Sequence, residues 1–185
     1  ALTTIAVAGL QAGLTCPVMG GKANFKDPST EYNGARFAYC CGGCKETFEK
    51  APAKVIEKAV KEKRNIGMFL FDPVSHKRID HEKAAGTSYY NGIRFAFSSL
   101  ENKATFDKNP KAYGVLPKKE SLFCPVMKAE IKDYASADSY VDHNGVRYYM
   151  CCAGCATPFA NDAAKFAAEV TDRVKNPAVI TTKDK

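Results

Sequence analysis

Residues 33–44 read Asn-Gly-Ala-Arg-Phe-Ala-Tyr-Cys-Cys-Gly-Gly-Cys, and this stretch decides the fold that we expect. The Asn-Gly pair at its start is a strong signal for a two-residue hairpin turn, because both turn positions need residues that tolerate positive φ. The second strand then runs into a cysteine doublet, and Cys44 opens a helix. Pro52 interrupts that helix, so the sequence predicts a β-hairpin followed by a broken pair of helices.

The same frame occurs three times along the chain. Residues 91–102 and 144–155 repeat the Asn-Gly-x-Arg-aromatic segment and the doublet after it. Upstream, Leu-x-Cys-Pro-Val or Leu-Phe-Asp-Pro-Val opens each copy, and a phenylalanine follows each doublet at one shared offset. We therefore predict an N-terminal apolar segment (1–13), three tandem modules (14–67, 68–119 and 120–176) and a frayed tail (177–185).

The eight cysteines form two matching sets of four. The sets are Cys16, Cys40, Cys41 and Cys44 in the first copy, and Cys124, Cys151, Cys152 and Cys155 in the third. Thiols that converge from two chain segments favour a soft metal, namely zinc, Cu(I) or an iron–sulfur cluster. The middle copy has Asp72, Ser98, Ser99 and Asn102 at these positions, so we expect it to bind no soft metal.

The doublets leave the ligand set open. Neighbours on a strand point to opposite faces, which makes it difficult for both to bind one tetrahedral ion. Cys40 with Cys44 gives Cys-x3-Cys, whereas Cys41 with Cys44 gives Cys-x2-Cys. A glycine-rich turn presenting both thiols to a multinuclear Cu(I) centre, or one thiol packed as a small hydrophobe, are the other interpretations. Cys44 and Cys155 are expected to have lowered thiol pKa values, because they lie at helix N-termini.

Met19 and Met127 occupy equivalent positions after the first cysteine of each set. Their thioethers are either additional Cu(I) ligands or gap-filling groups in the core. An arginine also follows every hairpin turn, and the middle copy keeps it without any thiol. These arginines, Arg36, Arg94 and Arg147, are therefore predicted to have a structural role.

Composition limits the possible functions. The net charge of +7 comes largely from lysines that alternate with glutamates at helical spacing, as on a solvated helix face, and we expect no nucleic-acid binding. No nucleophile with an orienting base, phosphate loop or carboxylate pair emerges, so we expect no enzyme. The uncharged N-terminal stretch is shorter than the roughly 20 residues that span a bilayer. We interpret it as a secretory remnant of an exported, periplasmic or cell-envelope protein that does not span the membrane.

The combination of Cys-Pro-Val-Met, an Asn-Gly-x-Arg-aromatic hairpin and Cys-Cys-x-x-Cys resembles the YHS and TRASH domains over nearly the whole chain. The resemblance implies small α+β modules of treble-clef or zinc-ribbon type, with a degenerate middle copy. Because modules this small rarely stand alone and the middle copy has no thiols, we expect the three to pack into one body. It implies metal coordination by Cys16, Cys40 and Cys44, and by Cys124, Cys151 and Cys155. It also implies a role in heavy-metal sensing, trafficking or resistance, with a metal-trafficking protein as a possible partner.

The sequence thus predicts a non-enzymatic protein that captures, buffers or transfers Cu(I) or zinc through two thiolate sites. Two other interpretations stay open. Four thiols in each copy allow two disulfides, which would make the chain an exported structural or interaction module. The two Cys-x2-Cys pairs also have the spacing of thiol–disulfide exchange proteins, although no βαβ context surrounds them.

Overall fold

The computed structural model describes residues 13–23, 25 and 29–182, and it has the predicted α+β composition. The strands are β1 (Thr30–Tyr32), β2 (Ala35–Phe37), β3 (Gly67–Phe69), β4 (Gly86–Tyr90), β5 (Ile93–Phe97), β6 (Lys119–Ser121), β7 (Phe123–Cys124), β8 (Ala129–Glu130), β9 (Ser139–His143), β10 (Val146–Met150) and β11 (Ile180–Thr181). The helices are α1 (Gly42–Lys50), α2 (Pro52–Lys61), α3 (Leu100–Lys108), α4 (Pro110–Tyr113), α5 (Ala156–Asn161) and α6 (Ala163–Ala168).

All three predicted hairpins form, as β1–β2, β4–β5 and β9–β10. Asn33 and Gly34 have φ angles of 54° and 76°, and the Asn-Gly turns at 91–92 and 144–145 have similar positive values. Each hairpin leads into two helices separated by a break. Pro52 and Pro110 begin the second helix of the first two copies, as predicted, and Asp162 stands at the break in the third.

One aromatic pair recurs in each copy and anchors the helices to the hairpins. The phenylalanine at the shared offset packs against the aromatic residue that follows the hairpin arginine. The ring centroids are 4.7 Å apart for Phe37 and Phe48, 4.9 Å for Phe95 and Phe106, and 5.0 Å for Tyr148 and Phe159. Such pairs contribute about 0.5–1.5 kcal/mol beyond their buried area. The equivalent pairs place the first helix of each copy against its own hairpin.

Two of the hairpin arginines, Arg36 and Arg147, have the structural role that their pattern indicates. Arg36 forms a 2.6 Å ion pair with Glu31, its direct cross-strand neighbour. Arg147 binds Asp142, also directly opposite, through two hydrogen bonds of 2.8 Å, and its guanidinium lies 3.8 Å from the centre of the Tyr140 ring. These contacts compensate for the burial of a charged side chain.

A six-stranded sheet joins the first two copies, in the order β11-β1-β2-β3-β5-β4. Strand β3 pairs antiparallel with β2 and parallel with β5. The boundary predicted between residues 67 and 68 therefore falls inside a strand that both copies share. The boundary between residues 119 and 120 likewise falls inside β6, which pairs parallel with β10. Modules this small bury too little surface alone, and shared strands supply the missing neighbours.

The predicted frayed tail is wrong for the residues that are described. Strand β11 pairs antiparallel with β1, and the hydroxyl of Thr181 donates a 2.7 Å hydrogen bond to Glu49. This contact joins the end of the chain to the first copy. Because the two segments are far apart in sequence, no local sequence pattern predicted it. The predicted N-terminal segment lies outside the described residues except for Gly13. Within the described ranges, no helix is both long and apolar enough to cross a bilayer.

Buried polar contacts tie the third copy to the first. The hydroxyl of Tyr134 accepts a hydrogen bond from the Asn33 amide at 3.1 Å and donates one to Glu120 at 2.5 Å. The amide of Ala135 donates to Glu31 at 3.2 Å. Because these groups are buried, each needs its partner to remain in place. The three copies therefore share one core rather than standing as separate units.

Candidate metal centres

The first centre brings three thiols together from distant parts of the chain. The Sγ atoms of Cys16, Cys40 and Cys44 all lie within 4.8 Å of one another. Cys16 lies in the loop before β1, Cys40 follows β2, and Cys44 lies in the first turn of α1. The hairpin and the helix thus present two sulfur atoms to a third that comes from a separate loop.

The second centre repeats this arrangement in the third copy. The Sγ atoms of Cys124, Cys151 and Cys155 also lie within 4.8 Å of one another. Cys124 lies in β7, Cys151 follows β10, and Cys155 immediately precedes α5. We call each of these groups of three a cysteine trio.

The sulfur–sulfur distances suit a shared metal. Cys40 and Cys44 are 3.7 Å apart at Sγ, and Cys151 and Cys155 are 3.9 Å apart. With zinc–sulfur bonds of about 2.3 Å, two thiolates on a tetrahedral ion are roughly 3.8 Å apart. All eight cysteines are free thiols in this structure. The geometry of both trios is therefore close to what a soft ion requires.

The structure distinguishes the two members of each doublet. Cys40 and Cys151 belong to the trios, whereas Cys41 and Cys152 do not. Both of the latter are exposed, with Sγ atoms 3.4 Å from Cys44 and 3.0 Å from Cys155 respectively. The convergent group therefore uses the Cys-x3-Cys spacing that the resemblance implies. The second thiol of each doublet is a neighbour of the trio rather than a member.

Backbone amides favour the thiolate form of the first cysteine in each trio. Burial alone raises the pKa of Cys16, but hydrogen bonds from the amides of Met19, Cys40 and Val18 outweigh it and leave the pKa below the usual value. The pKa of Cys124 is lowered in the same way, against its burial, with the amides of Cys151 and Met127 as the main donors. Amide donors that converge on sulfur stabilise the charged form that binds a metal.

The predicted lowering of the Cys44 and Cys155 pKa values is wrong. Burial raises both pKa values, and the neighbouring cysteine sulfurs raise them further. Burial in a protein interior disfavours the charged thiolate, and here it exceeds the effect of the helix N-terminus. The exposed Cys41 and Cys152 have lowered pKa values instead, chiefly because Cys44 and Cys155 hydrogen-bond to them.

Arg64 positions the first trio, and the sequence analysis did not identify it. Its guanidinium donates hydrogen bonds to the backbone carbonyls of Cys16 at 2.7 Å and Pro17 at 3.1 Å. The amide of Thr15 also donates to the carbonyl of Asn65 at 2.7 Å. These contacts fasten the Cys16 loop to the chain just after α2. The arginine has no counterpart in the repeat frame, so no sequence signal indicated this role.

Met19 and Met127 are not core residues. Their side chains are 73% and 61% exposed, which rules out the predicted packing role. Their backbone amides, rather than their thioethers, contact the trios, through the first cysteine of each. The thioethers are exposed at the protein surface, three residues after the first cysteine of each trio.

The middle copy fills the equivalent position with a hydrogen-bonded carboxylate. Oδ1 of Asp72 accepts hydrogen bonds from the amides of Val74 and Ser75, at 2.9 and 3.2 Å. Oδ2 accepts from the amide and hydroxyl of Ser98 and from the side-chain amide of Asn102. An anion thus sits where Cys16 and Cys124 sit in the other copies. Backbone and side-chain groups of the same copy hold this anion in place.

Comparison with known proteins gives no family assignment. No protein-family model matches the chain, and no curated protein or solved structure is significantly similar to it. The two cysteine trios are therefore the findings on which a function must rest.

Proposed function

We propose that the protein binds a thiophilic metal ion, Cu(I) or Zn²⁺, at each cysteine trio and that it buffers the ion or passes it on. The observation that carries the proposal is the convergence, twice, of three sulfur atoms within 4.8 Å of one another. Soft thiolate donors select Cu(I) and zinc over hard ions such as magnesium or calcium.

The electrostatics of the trios support the same proposal. Thiols pack no better than ordinary hydrophobic side chains, so packing alone does not explain why three of them stand together. The amides that lower the pKa values of Cys16 and Cys124 provide for a negative charge at those two sulfurs. A bound cation would supply the remaining compensation, because adjacent buried thiolates repel one another when no ion is present.

The number of converging sulfurs bears on which ion is bound. Closed structural zinc sites have four protein ligands, whereas each trio supplies three. Cu(I) accepts two or three thiolates, so the trio alone completes its coordination. Zinc would need a fourth donor, such as water or the exposed thiol of the doublet. We therefore favour Cu(I), with zinc as the alternative that a parallel titration tests.

The biological role that we propose follows from the resemblance to YHS and TRASH domains. We propose a non-enzymatic, exported protein with three treble-clef-like modules, of which the outer two handle metal in a trafficking or resistance pathway. The repeated hairpin-helix arrangement and the recurring aromatic pair support the modular part of this proposal.

Anaerobic titration tests the binding proposal. Reduced protein is titrated with Cu(I) against a chromophoric Cu(I) chelator, and separately with Zn²⁺ against a zinc indicator. We expect two equivalents of metal per chain, one for each trio. Cys16→Ser and Cys124→Ser should each remove one equivalent, and the double variant should remove both. Ser98→Ala, at the middle-copy position equivalent to Cys40 and Cys151, is the control and should keep two.

Non-reducing mass spectrometry on the same samples separates the alternatives. Protein that has all eight thiols free but takes up neither ion would refute the proposal. Stable disulfides in protein isolated without reductant would favour the exported structural module instead. Turnover of a disulfide substrate by protein containing no metal would favour thiol–disulfide exchange.

A further inference from the structure

In both outer copies, the second cysteine of the doublet is exposed and lies beside a buried sulfur of the trio. Cys16 and Cys44 are 0% and 3% exposed, whereas Cys41, 3.4 Å from Cys44, is an exposed residue. In the third copy, Cys152 is exposed and lies 3.0 Å from the buried Cys155. Within the trios, Cys40 is exposed and Cys151 is partly exposed, so each trio reaches the surface and the second thiol of the doublet stands next to it there.

The surface around these thiols is open to an approaching molecule. A Cβ atom placed on Gly42, Gly43 or Gly154 would have nothing within 4 Å apart from its local neighbours. These glycines form the turn between Cys41 and Cys44, and its counterpart in the third copy. A second molecule can therefore bring a donor atom to the exposed thiol without displacing a side chain.

The middle copy shows what this position does where no trio exists. Ser99, the equivalent of Cys41, accepts a 3.1 Å hydrogen bond from the amide of Asn102 and caps α3. Cys41 stands at the same end of α1, but its side chain makes no capping hydrogen bond. Serine is the better capping residue. The thiol at this position is therefore not explained by helix capping.

We propose that Cys41 and Cys152 are exchange ligands, through which the ion held by each trio passes to a thiolate donor on an acceptor molecule. The inference rests on the proposed function and assigns a role to the two exposed thiols that lie outside the trios. The trios hold the ion, and the two thiols outside the trios control the rate of its release.

The exchange balances without any change in oxidation state. A sulfur–metal bond forms at Cys41 as its S–H bond breaks, the bond between the ion and Cys16 breaks, and Cys16 takes up a proton by way of water. The first thiol of a dithiol acceptor then binds the ion as Cys44 leaves, and the second binds as Cys40 leaves, and each departing sulfur takes up the proton that the incoming thiol loses. Cys41 dissociates last and is protonated from solvent, which leaves the ion bound to the two acceptor thiolates and never without soft ligands.

Kinetics and affinity measured on the same variants test this proposal. The full chain carrying Cys124→Ser confines Cu(I) to the first trio, and Cys41→Ser is added to it. Affinity is measured by competition with a chromophoric Cu(I) chelator. Transfer to a short synthetic dithiol peptide is followed by native mass spectrometry under anaerobic conditions. We expect an affinity within about threefold of the parent and transfer at least about tenfold slower.

The middle copy indicates that the variant protein should fold. Cys41→Ser introduces the residue that already caps α3 at the equivalent position, so the fold should tolerate it. Cys40→Ser is the contrasting variant, because it removes a member of the trio and should weaken binding. The reciprocal pair, Cys152→Ser in a Cys16→Ser background, should reproduce the kinetic effect at the second trio.

The outcomes separate this inference from the function on which it rests. Parent protein that binds no Cu(I) would refute the proposed function. Parent protein that binds Cu(I), with unchanged transfer in Cys41→Ser, would refute only the exchange role. A loss of affinity in Cys41→Ser as large as in Cys40→Ser would also refute it, because Cys41 would then be a ligand of the resting site.

Discussion

The carboxylate of Asp72 accepts two hydrogen bonds from Ser98, one from the backbone amide at 2.9 Å and one from the hydroxyl at 2.7 Å. The side-chain amide of Asn102 donates a third to the same oxygen at 2.8 Å. These three residues occupy the positions of the trio cysteines in the outer copies. The hydrogen-bonded network in the middle copy and the three thiols in each outer copy thus join equivalent elements, the loop that opens the copy and the start of its first helix.

Installing thiols in the middle copy should create a third metal centre. The triple variant Asp72→Cys, Ser98→Cys and Asn102→Cys reproduces one trio on a backbone that already has the required hairpin and helix. We expect one additional equivalent of Cu(I) in the anaerobic titration. Asp72→Cys alone is the control and should add none. A folded triple variant that still binds two equivalents would show that the backbone frames of the copies are not equivalent.

Removing the Asp72 carboxylate should destabilise the protein whether or not metal is present. Asp72→Ala leaves three backbone amides, a hydroxyl and a side-chain amide without their acceptor, and unsatisfied buried donors cost about 1–3 kcal/mol each. We expect the free energy of unfolding to fall by about 3 kcal/mol or more, measured by urea denaturation with a chelator present. Glu101→Ala, an exposed change on α3, should stay within about 0.5 kcal/mol of the parent.

The same carboxylate predicts a loss of stability in acid. Burial raises the pKa of Asp72, but the hydrogen bonds from Ser98 and Asn102 outweigh it, and the folded-state pKa lies below its usual 3.8. A lowered acid pKa gives stabilisation that is present above pH 3.8 and is lost as the pH falls through the folded-state value. The difference in unfolding free energy between parent and Asp72→Ala should therefore shrink below pH 4.

Glu120 should give the opposite dependence of stability on pH. Burial raises its pKa from 4.5 to about 7, although Tyr134 and Arg147 partly oppose the shift. The folded protein thus favours the protonated acid, so this stabilisation is complete below pH 4.5 and disappears as the pH rises through about 7.

Urea denaturation of parent and Glu120→Gln at pH 5 and pH 8 measures this effect. The neutral glutamine cannot ionise, so the variant should gain roughly 2–3 kcal/mol relative to the parent between the two pH values. Asp133→Asn removes an acid that is less buried than Glu120, and it serves as a control for general charge effects. An equal pH dependence in parent and Glu120→Gln would contradict the prediction.

Truncation after Ala178 should weaken the first copy specifically. It removes β11 from the outer edge of β1, together with the hydrogen bond from Thr181 to Glu49. We expect faster amide hydrogen exchange at Thr30 and Glu31 and a loss of about 1–2 kcal/mol in unfolding free energy. Metal stoichiometry should not change, because no trio contains a residue of this strand. Thr181→Val separates the side-chain contact from the strand pairing.

Much of the local structure could be predicted from particular residues. Asn33-Gly34 indicated a hairpin because few residues other than glycine and asparagine adopt positive φ readily. Pro52 and Pro110 indicated helix breaks because proline cannot donate a helical hydrogen bond. The resemblance also indicated which thiol of each doublet joins its trio. These features depend on short-range chemistry that is visible in the sequence.

The features that sequence could not predict all depend on contacts between distant residues. Strand β3 has three residues and no periodic pattern, and its partners lie in two different copies. The raised pKa values of Cys44 and Cys155 follow from burial and sulfur neighbours that only the fold reveals. The exposure of Met19 and Met127 follows from the path of a loop. Helix-end position alone gave the wrong direction for the pKa values of Cys44 and Cys155.

The shared strand β3 also bears on the order of events during synthesis. All three sulfurs of the first trio exist once Cys44 has been made, yet β3 gains its partner β5 only after residues 93–94 have emerged from the ribosome. The thiols of the first trio are therefore all made before the sheet that joins the first two copies can be completed.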